Sequence, residues 1–131
     1  MIPYHVFLQG NPLNSAKPPK AYARCVMANR VSSEQFVKNV AEFSGIHSIG
    51  NIKGVLSDTF ERLALHLLWG DRVTIDDLGT FSVSLRCEGA DSMATFSNRN
   101  IKGVNIVFTP GKAMRERIAT AEFFRTTTIR R

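Results

Sequence analysis

The hydrophobic period of this chain changes at Gly70-Asp71, and that change restricts the fold more than any other feature. Upstream, the apolar residues recur every three or four positions. Phe36, Val37, Val40, Ala41 and Phe43 form one set, and Ile52, Val55, Leu56, Phe60, Leu63 and Leu67 form the next. Downstream, the period is two: Val73 and Ile75, then Phe81, Val83 and Leu85, then Val104, Ile106 and Phe108. A 3.6-residue period predicts amphipathic helices, and strict alternation predicts half-buried strands. Helix, helix, strand, strand, strand is therefore the expected order, an α+β arrangement with the helices grouped before the sheet.

Local punctuation agrees with these limits. "SSEQ" at 32–35 fits a capping box, with Ser32 as N-cap and Gln35 three residues on, and Gly45 is a natural stop. Ser48 can open the second helix, which Gly70 ends; Gly50 and Gly54 inside it each lower helix propensity by about 1 kcal/mol relative to Ala. "DDLG" at 76–79 makes the turn between the first two strands of the sheet. Before the helices, residues 4–9 and 21–28 read as strands around "GNPLNSAKPPK", a Gly/Pro/Asn-rich loop, so an N-terminal β-hairpin is expected. After the last strand, Thr109 is the expected cap of a C-terminal helix whose first residue is Pro110, followed by a frayed "TTTIRR" tail.

That helix start is the first candidate site. Exposed amides at a helix N-terminus favour an anion, and Gly111, Lys112 and Arg115 follow Thr109 closely. A phosphate clamp is one reading; a solvated lysine beside an ordinary cap is the other. Charge distribution bears on the choice. The net +6 divides into +4 over residues 1–31, −4 over 32–98 and +6 over 99–131. Two cationic ends suit a polyanionic partner, or simply a soluble protein with a basic tail.

Other classes have little to build on. No apolar run reaches the roughly 20 residues that span a bilayer, and "MIPYHVFLQG" lacks the basic start and long apolar stretch of a signal peptide, so a cytoplasmic protein without membrane partners is expected. Cys25 and Cys87 lack CxxC spacing and are expected as reduced thiols. His5, His47 and His66 are scattered, and Asp76-Asp77 sit in a turn without a partnered base. No Gly-rich nucleotide loop occurs. The expectation is a non-enzyme with no cofactor, no metal and no small-molecule substrate.

The combined pattern resembles a known family. "SSEQFVKNVAEFSGI", "WGDRVTIDDLGTFSVSL" and "VNIVFTPGKAMRERI" are similar, in order and separation, to the HU/integration-host-factor family of bacterial histone-like DNA-binding proteins. The resemblance runs from about residue 32 to residue 120, and the longer HU-related variants carry an added N-terminal hairpin. It implies three segments: a hairpin extension over 1–31, an HU-like domain over 32–125 and a basic tail over 126–131. It implies an HU/IHF-like fold, with a helical base, a three-stranded antiparallel sheet extended as an arm, and a C-terminal helix. It also implies a dimer, here a homodimer holding double-stranded DNA in the nucleoid, largely without sequence specificity, through Thr109, Gly111, Lys112 and Arg115. Phe36, Val40, Phe43, Phe60, Leu63, Leu67, Phe81 and Phe108 are then core or dimer-interface residues.

The arm departs from the family pattern. Arg86 to Lys102 contains no proline, and its cations Arg86, Arg99 and Lys102 are opposed by Glu88 and Asp91. Those cations either track a phosphate or keep an exposed strand soluble. Phe96 or Met93 can wedge between base steps, or pack within the dimer. Lys17, Lys20 and Arg24 either widen the basic surface or project into solvent from the hairpin. The alternative to duplex binding is an HU-fold structural or protein-interaction module with weak or no affinity for DNA; RNA or single-strand binding ranks last, because few aromatics look free to stack on bases.

Overall fold

A computed structural model describes residues 1–27 and 29–127. Its elements are β1 (Ile2–Gln9), β2 (Lys20–Cys25), α1 (Ser33–Ser44), α2 (Ile49–Leu68), β3 (Val73–Ile75), β4 (Gly79–Cys87), a 3₁₀ turn (Asn98–Asn100), β5 (Ile101–Pro110), α3 (Lys112–Ile118) and β6 (Phe123–Arg125). They form two compact units, one from Met1–Phe36 with the chain from Ala119 onward, the other from Val37–Ile118.

The helix signals act as expected. Ser32 Oγ accepts from Gln35 N at 3.2 Å, and Ser48 Oγ accepts from Asn51 N at 3.1 Å. Gly70, at φ +81°, ends α2 in a reversal that returns the Asp71 amide to the His66 carbonyl at 3.0 Å. That reversal also delivers the Asp71 carboxylate to His66 Nδ1, 2.9 Å away.

In the second unit the sheet order is β3-β4-β5, fully antiparallel between neighbours. The β3–β4 turn closes with the Leu78 amide donating to the Ile75 carbonyl at 3.1 Å, and Asp77 takes φ 66°, which Asp tolerates better than most side chains. Gly79 follows, buried at φ +153°, against the Thr109 carbonyl and the Phe108 ring. In the first unit the expected hairpin is present, with Phe7 opposite Tyr22 and His5 opposite Arg24. It gains a strand absent from the sequence reading: β6 pairs parallel to β1, Ile2 opposite Phe123 and Tyr4 opposite Arg125. Residues 128–131 of the expected basic tail lie outside the described residues.

Among the described residues, the buried hydrophobics are Val26 and Val37. Val40, Leu63, Leu67 and Phe81 are half-buried, whereas Phe36, Phe43, Phe60 and Phe108 are exposed, Phe43 at 94%. Within one chain these four phenylalanines are therefore not core. A sheet three strands wide is too small to cover the apolar stripes of both helices.

Candidate nucleic-acid interface

Register divides the β3-β4-β5 sheet into two chemically distinct faces. Phe81, Val83 and Leu85 lie opposite Phe108, Ile106 and Val104, and the Phe81 and Phe108 rings are 4.9 Å apart between centroids. Val73 pairs with Phe81 and so shares this face; with Ile75 it lines a recess together with Val55, Thr59 and Leu63 of α2. The apolar face is thus the helix-facing one. The other carries Thr74, Thr80, Ser82, Ser84, Asn105 and Thr109, with Val107 as its apolar member. Thr74 Oγ1 and Thr80 Oγ1 are 3.0 Å apart. Apart from Thr109, these hydroxyl and amide groups were missed as site residues, although the alternation of Thr80, Ser82 and Ser84 with Phe81, Val83 and Leu85 marks them.

The arm cations gather at one end of this sheet. Arg86 lies opposite Gly103, and its guanidinium occupies the space a Cβ at 103 would need. A register shift follows at once: Cys87 pairs with Ile101, leaving Lys102 in a bulge. Lys102 Nζ reaches Glu88 Oε2 at 3.4 Å, an exposed pair. Arg99 sits in the 3₁₀ turn, where its amide donates to Ser97 Oγ at 3.4 Å and the Ser97 amide donates to Asn100 Oδ1 at 3.1 Å. Beyond them the tip folds on itself through Ser92 and Thr95, with Met93 97% exposed and Phe96 at 42%.

At the opposite end, the expected helix start is corrected. Pro110 is the last residue of β5, opposite Gly79, and Thr109 is a ladder residue opposite Thr80. Neither belongs to the helix. Local sequence favours a Thr cap with Pro behind it, but pairing with β4 holds both residues extended. Gly111 is the cap instead: its carbonyl accepts from Arg115 N at 3.0 Å. Its own amide donates to the Leu78 carbonyl at 3.0 Å, so it is committed to the fold rather than offered to an anion. Lys112, Ala113 and Met114 supply the amides that a helix start leaves without intrahelical partners. Lys112 is 84% exposed and lies 3.8 Å from Glu116 Oε1 one turn on. Arg115 is exposed on the same short helix.

Lys17, Lys20 and Arg24 belong to the other unit. Lys17 lies in the exposed loop, Lys20 opens β2, and Arg24 places its guanidinium 4.8 Å from the centroid of the Phe7 ring.

A helical pair followed by a three-stranded antiparallel sheet with a long β4–β5 arm, and a short helix after it, defines an HU-like fold. The chain belongs to the HU-HIG family, described as an HU domain fused to wHTH, Ig, or Glycine-rich motif; the match covers residues 1–125. In solved structures it is similar to a Bacteroides vulgatus protein provisionally described as a bacterial DNA-binding protein, at 15% identity and TM-score 0.69. That alignment covers 94% of this chain and 48% of the other, so the chain spans about half the length of that relative. It is also similar to HU from Anabaena in a cocrystal structure with DNA, at 24% identity and TM-score 0.50, covering 69% of this chain and 99% of that one. A mutant HU from Thermotoga maritima aligns at 22% identity and TM-score 0.47, over 66% of this chain and 97% of its own. Among curated proteins, none matches the chain.

Proposed function

We propose that this chain is a non-catalytic, nucleoid-associated, cytoplasmic DNA-binding protein that holds duplex DNA as a homodimer, largely without regard to sequence. The observation that carries this reading is the helix-averted sheet face, rich in hydroxyls and amides, with Arg86 and Lys102 at one end and Lys112 and Arg115 at the other. Short hydroxyl and amide side chains donate to phosphate and sugar oxygens, and the cations neutralise phosphates; such contacts fix position without reading bases. Dimerisation is supported by the apolar residues a single chain leaves open, among them Phe60 at 66%, Val55 at 64% and Ile106 at 72% exposed. No helix among the described residues is long and apolar enough to cross a membrane.

One observation favours a second reading, an HU-fold interaction module with weak DNA binding. Glu88 and Glu116 lie beside Lys102 and Lys112, two of the four cations that the first reading uses. Titration of a labelled duplex of about 30 base pairs at several salt concentrations separates the readings. The first expects a log–log salt slope of about −0.9 per phosphate neutralised. It also expects the double variant Lys112→Glu/Arg115→Glu to lose affinity at least about tenfold, with a flatter slope. Absence of duplex binding even at low salt would leave the interaction module as the better account.

A further inference from the structure

We infer that the N-terminal sheet carries a second nucleic-acid surface, one that stacks the unpaired bases of a single strand. The register of β2-β1-β6 places residues of unlike chemistry on its two faces. Ile2, Tyr4, Val6, Ala23 and Phe123 share one face with Cys25 and the exposed Arg125, a mainly aliphatic and aromatic surface suited to packing against protein. The opposite face brings together His5, Phe7, Lys20, Tyr22, Arg24 and Phe124.

The geometry of that second face is continuous. The His5 and Phe7 rings are 6.0 Å apart between centroids, Phe7 and Tyr22 are 6.2 Å apart, and Arg24 lies over Phe7. Tyr22 is 50% exposed and Phe124 41%, while Lys20 and Arg24 are exposed at the β2 edge. Rings and a guanidinium offer flat surfaces that pair with the π-face of any base, and the cations offer phosphates a counter-charge. Charge complementarity selects nucleic acid over an apolar protein partner: residues 1–31 contain four basic side chains and no acid. The acids nearest in sequence, Glu34 and Glu122, lie outside the three strands. A single strand is selected over a duplex because base faces are already stacked within a duplex, where only the cations of this sheet would find a partner.

This surface lies wholly in the first unit, so it stands or falls independently of the duplex reading for the second. The test uses the intact chain with two probes, a labelled oligothymidine of about 15 nucleotides and the duplex. Tyr22→Ala is expected to weaken oligothymidine binding by about tenfold, Tyr22→Phe to retain it, and neither to alter duplex affinity by more than about twofold. An abasic strand of the same length and charge is expected to bind wild type about as weakly as oligothymidine binds Tyr22→Ala. Conversely, Lys112→Glu/Arg115→Glu is expected to lower duplex binding and leave oligothymidine binding in place. The inference is overturned if wild type fails to bind oligothymidine, if Tyr22→Ala binds it as well as wild type does, or if the abasic strand binds equally well. The last two results would reduce the face to a charge effect, and the first would remove its nucleic-acid role.

Discussion

Both sheets in this molecule have three strands and one apolar face, yet they are assembled and finished differently. The β3-β4-β5 sheet joins strands consecutive in sequence. The β2-β1-β6 sheet is completed by Phe123–Arg125, which pairs parallel to β1 from the far end of the chain. Their second faces differ in chemistry as well. One presents Thr80, Ser82, Ser84 and Asn105; the other presents Phe7, Tyr22 and Arg24. Hydroxyls and amides match phosphate oxygens, whereas rings match base faces. The strand count is shared, and the alternate side chains give each sheet its own surface chemistry.

The β3-β4-β5 sheet is most sensitive to substitution at Gly79. Its φ of +153° disfavours any side chain, and a Cβ would collide with the Thr109 carbonyl and lie 2.8 Å from a Phe108 ring carbon. Neither obstacle is the free end of a flexible chain. Gly79→Val is therefore expected to destabilise the protein by about 3 kcal/mol or more. Chemical unfolding gives the size, and hydrogen exchange is expected to show protection lost along β3, β4 and β5 before β1 and β2. Uniform loss across both sheets would mean that the two units unfold together.

A smaller effect follows from removing β6. Truncation after Thr120 deletes the bond from the Ile2 amide to the Glu122 carbonyl, 2.7 Å, and that from the Thr126 amide to the Tyr4 carbonyl, 2.8 Å. The groups left behind on β1 regain water at a new edge, so the expected loss is about 1–2 kcal/mol. Amide exchange of β1 is the measurement, and β4 and β5 are expected to keep their protection.

These two elements also show where sequence is sufficient and where it is not. Ser32, Ser48 and Gly70 act within one or two helical turns, so their roles are legible locally. The alternation from Phe81 to Leu85 likewise records one apolar face. Thr109 and Pro110 carry an equally clear local message, a helix start, and it loses to their pairing with Thr80 and Gly79. Phe123–Arg125 is too short to display a period, and its partner lies at the other end of the chain. The aromatic face was hidden for a related reason. Phe7 and Tyr22 meet only in one hairpin register, and the long loop over residues 10–19 does not dictate that register. Of the candidate site, the cations were legible as charges. Their grouping at the two ends of one sheet, and the commitment of the Gly111 amide to Leu78, required the tertiary structure.

The assignment of chemistry to faces is sharpened at Ser84. This residue lies opposite Asn105 on the helix-averted face and is exposed. Ser84→Glu is expected to change stability by no more than about 0.5 kcal/mol, as exposed substitutions generally do. On the proposed duplex surface, however, an added carboxylate would face phosphates, and affinity is expected to fall about tenfold, or about 1.4 kcal/mol. Oligothymidine binding is expected to remain unchanged. Loss of both activities together would place the two probes on a common surface and remove the distinction between the sheets.

The smallest effect concerns Glu116, where stability and binding separate most finely. Its carboxylate lies 3.8 Å from Lys112 Nζ, with both side chains largely exposed. Lysine one turn before glutamate is the less favourable order for such a pair, because each charge opposes the helix dipole at its own end. Glu116→Gln therefore gives up little attraction and relieves an unfavourable dipole contact. The thermal midpoint is expected to move by less than about 2 °C in either direction. Duplex binding responds differently, since removing the acid leaves Lys112 a single class of anionic partner. An affinity gain of about twofold is expected at low salt, shrinking as salt rises, because screening weakens the acid's opposition as well as the phosphate's attraction. An unchanged affinity in Glu116→Gln, together with a full loss in Lys112→Glu/Arg115→Glu, would transfer the phosphate contact from Lys112 to Arg115.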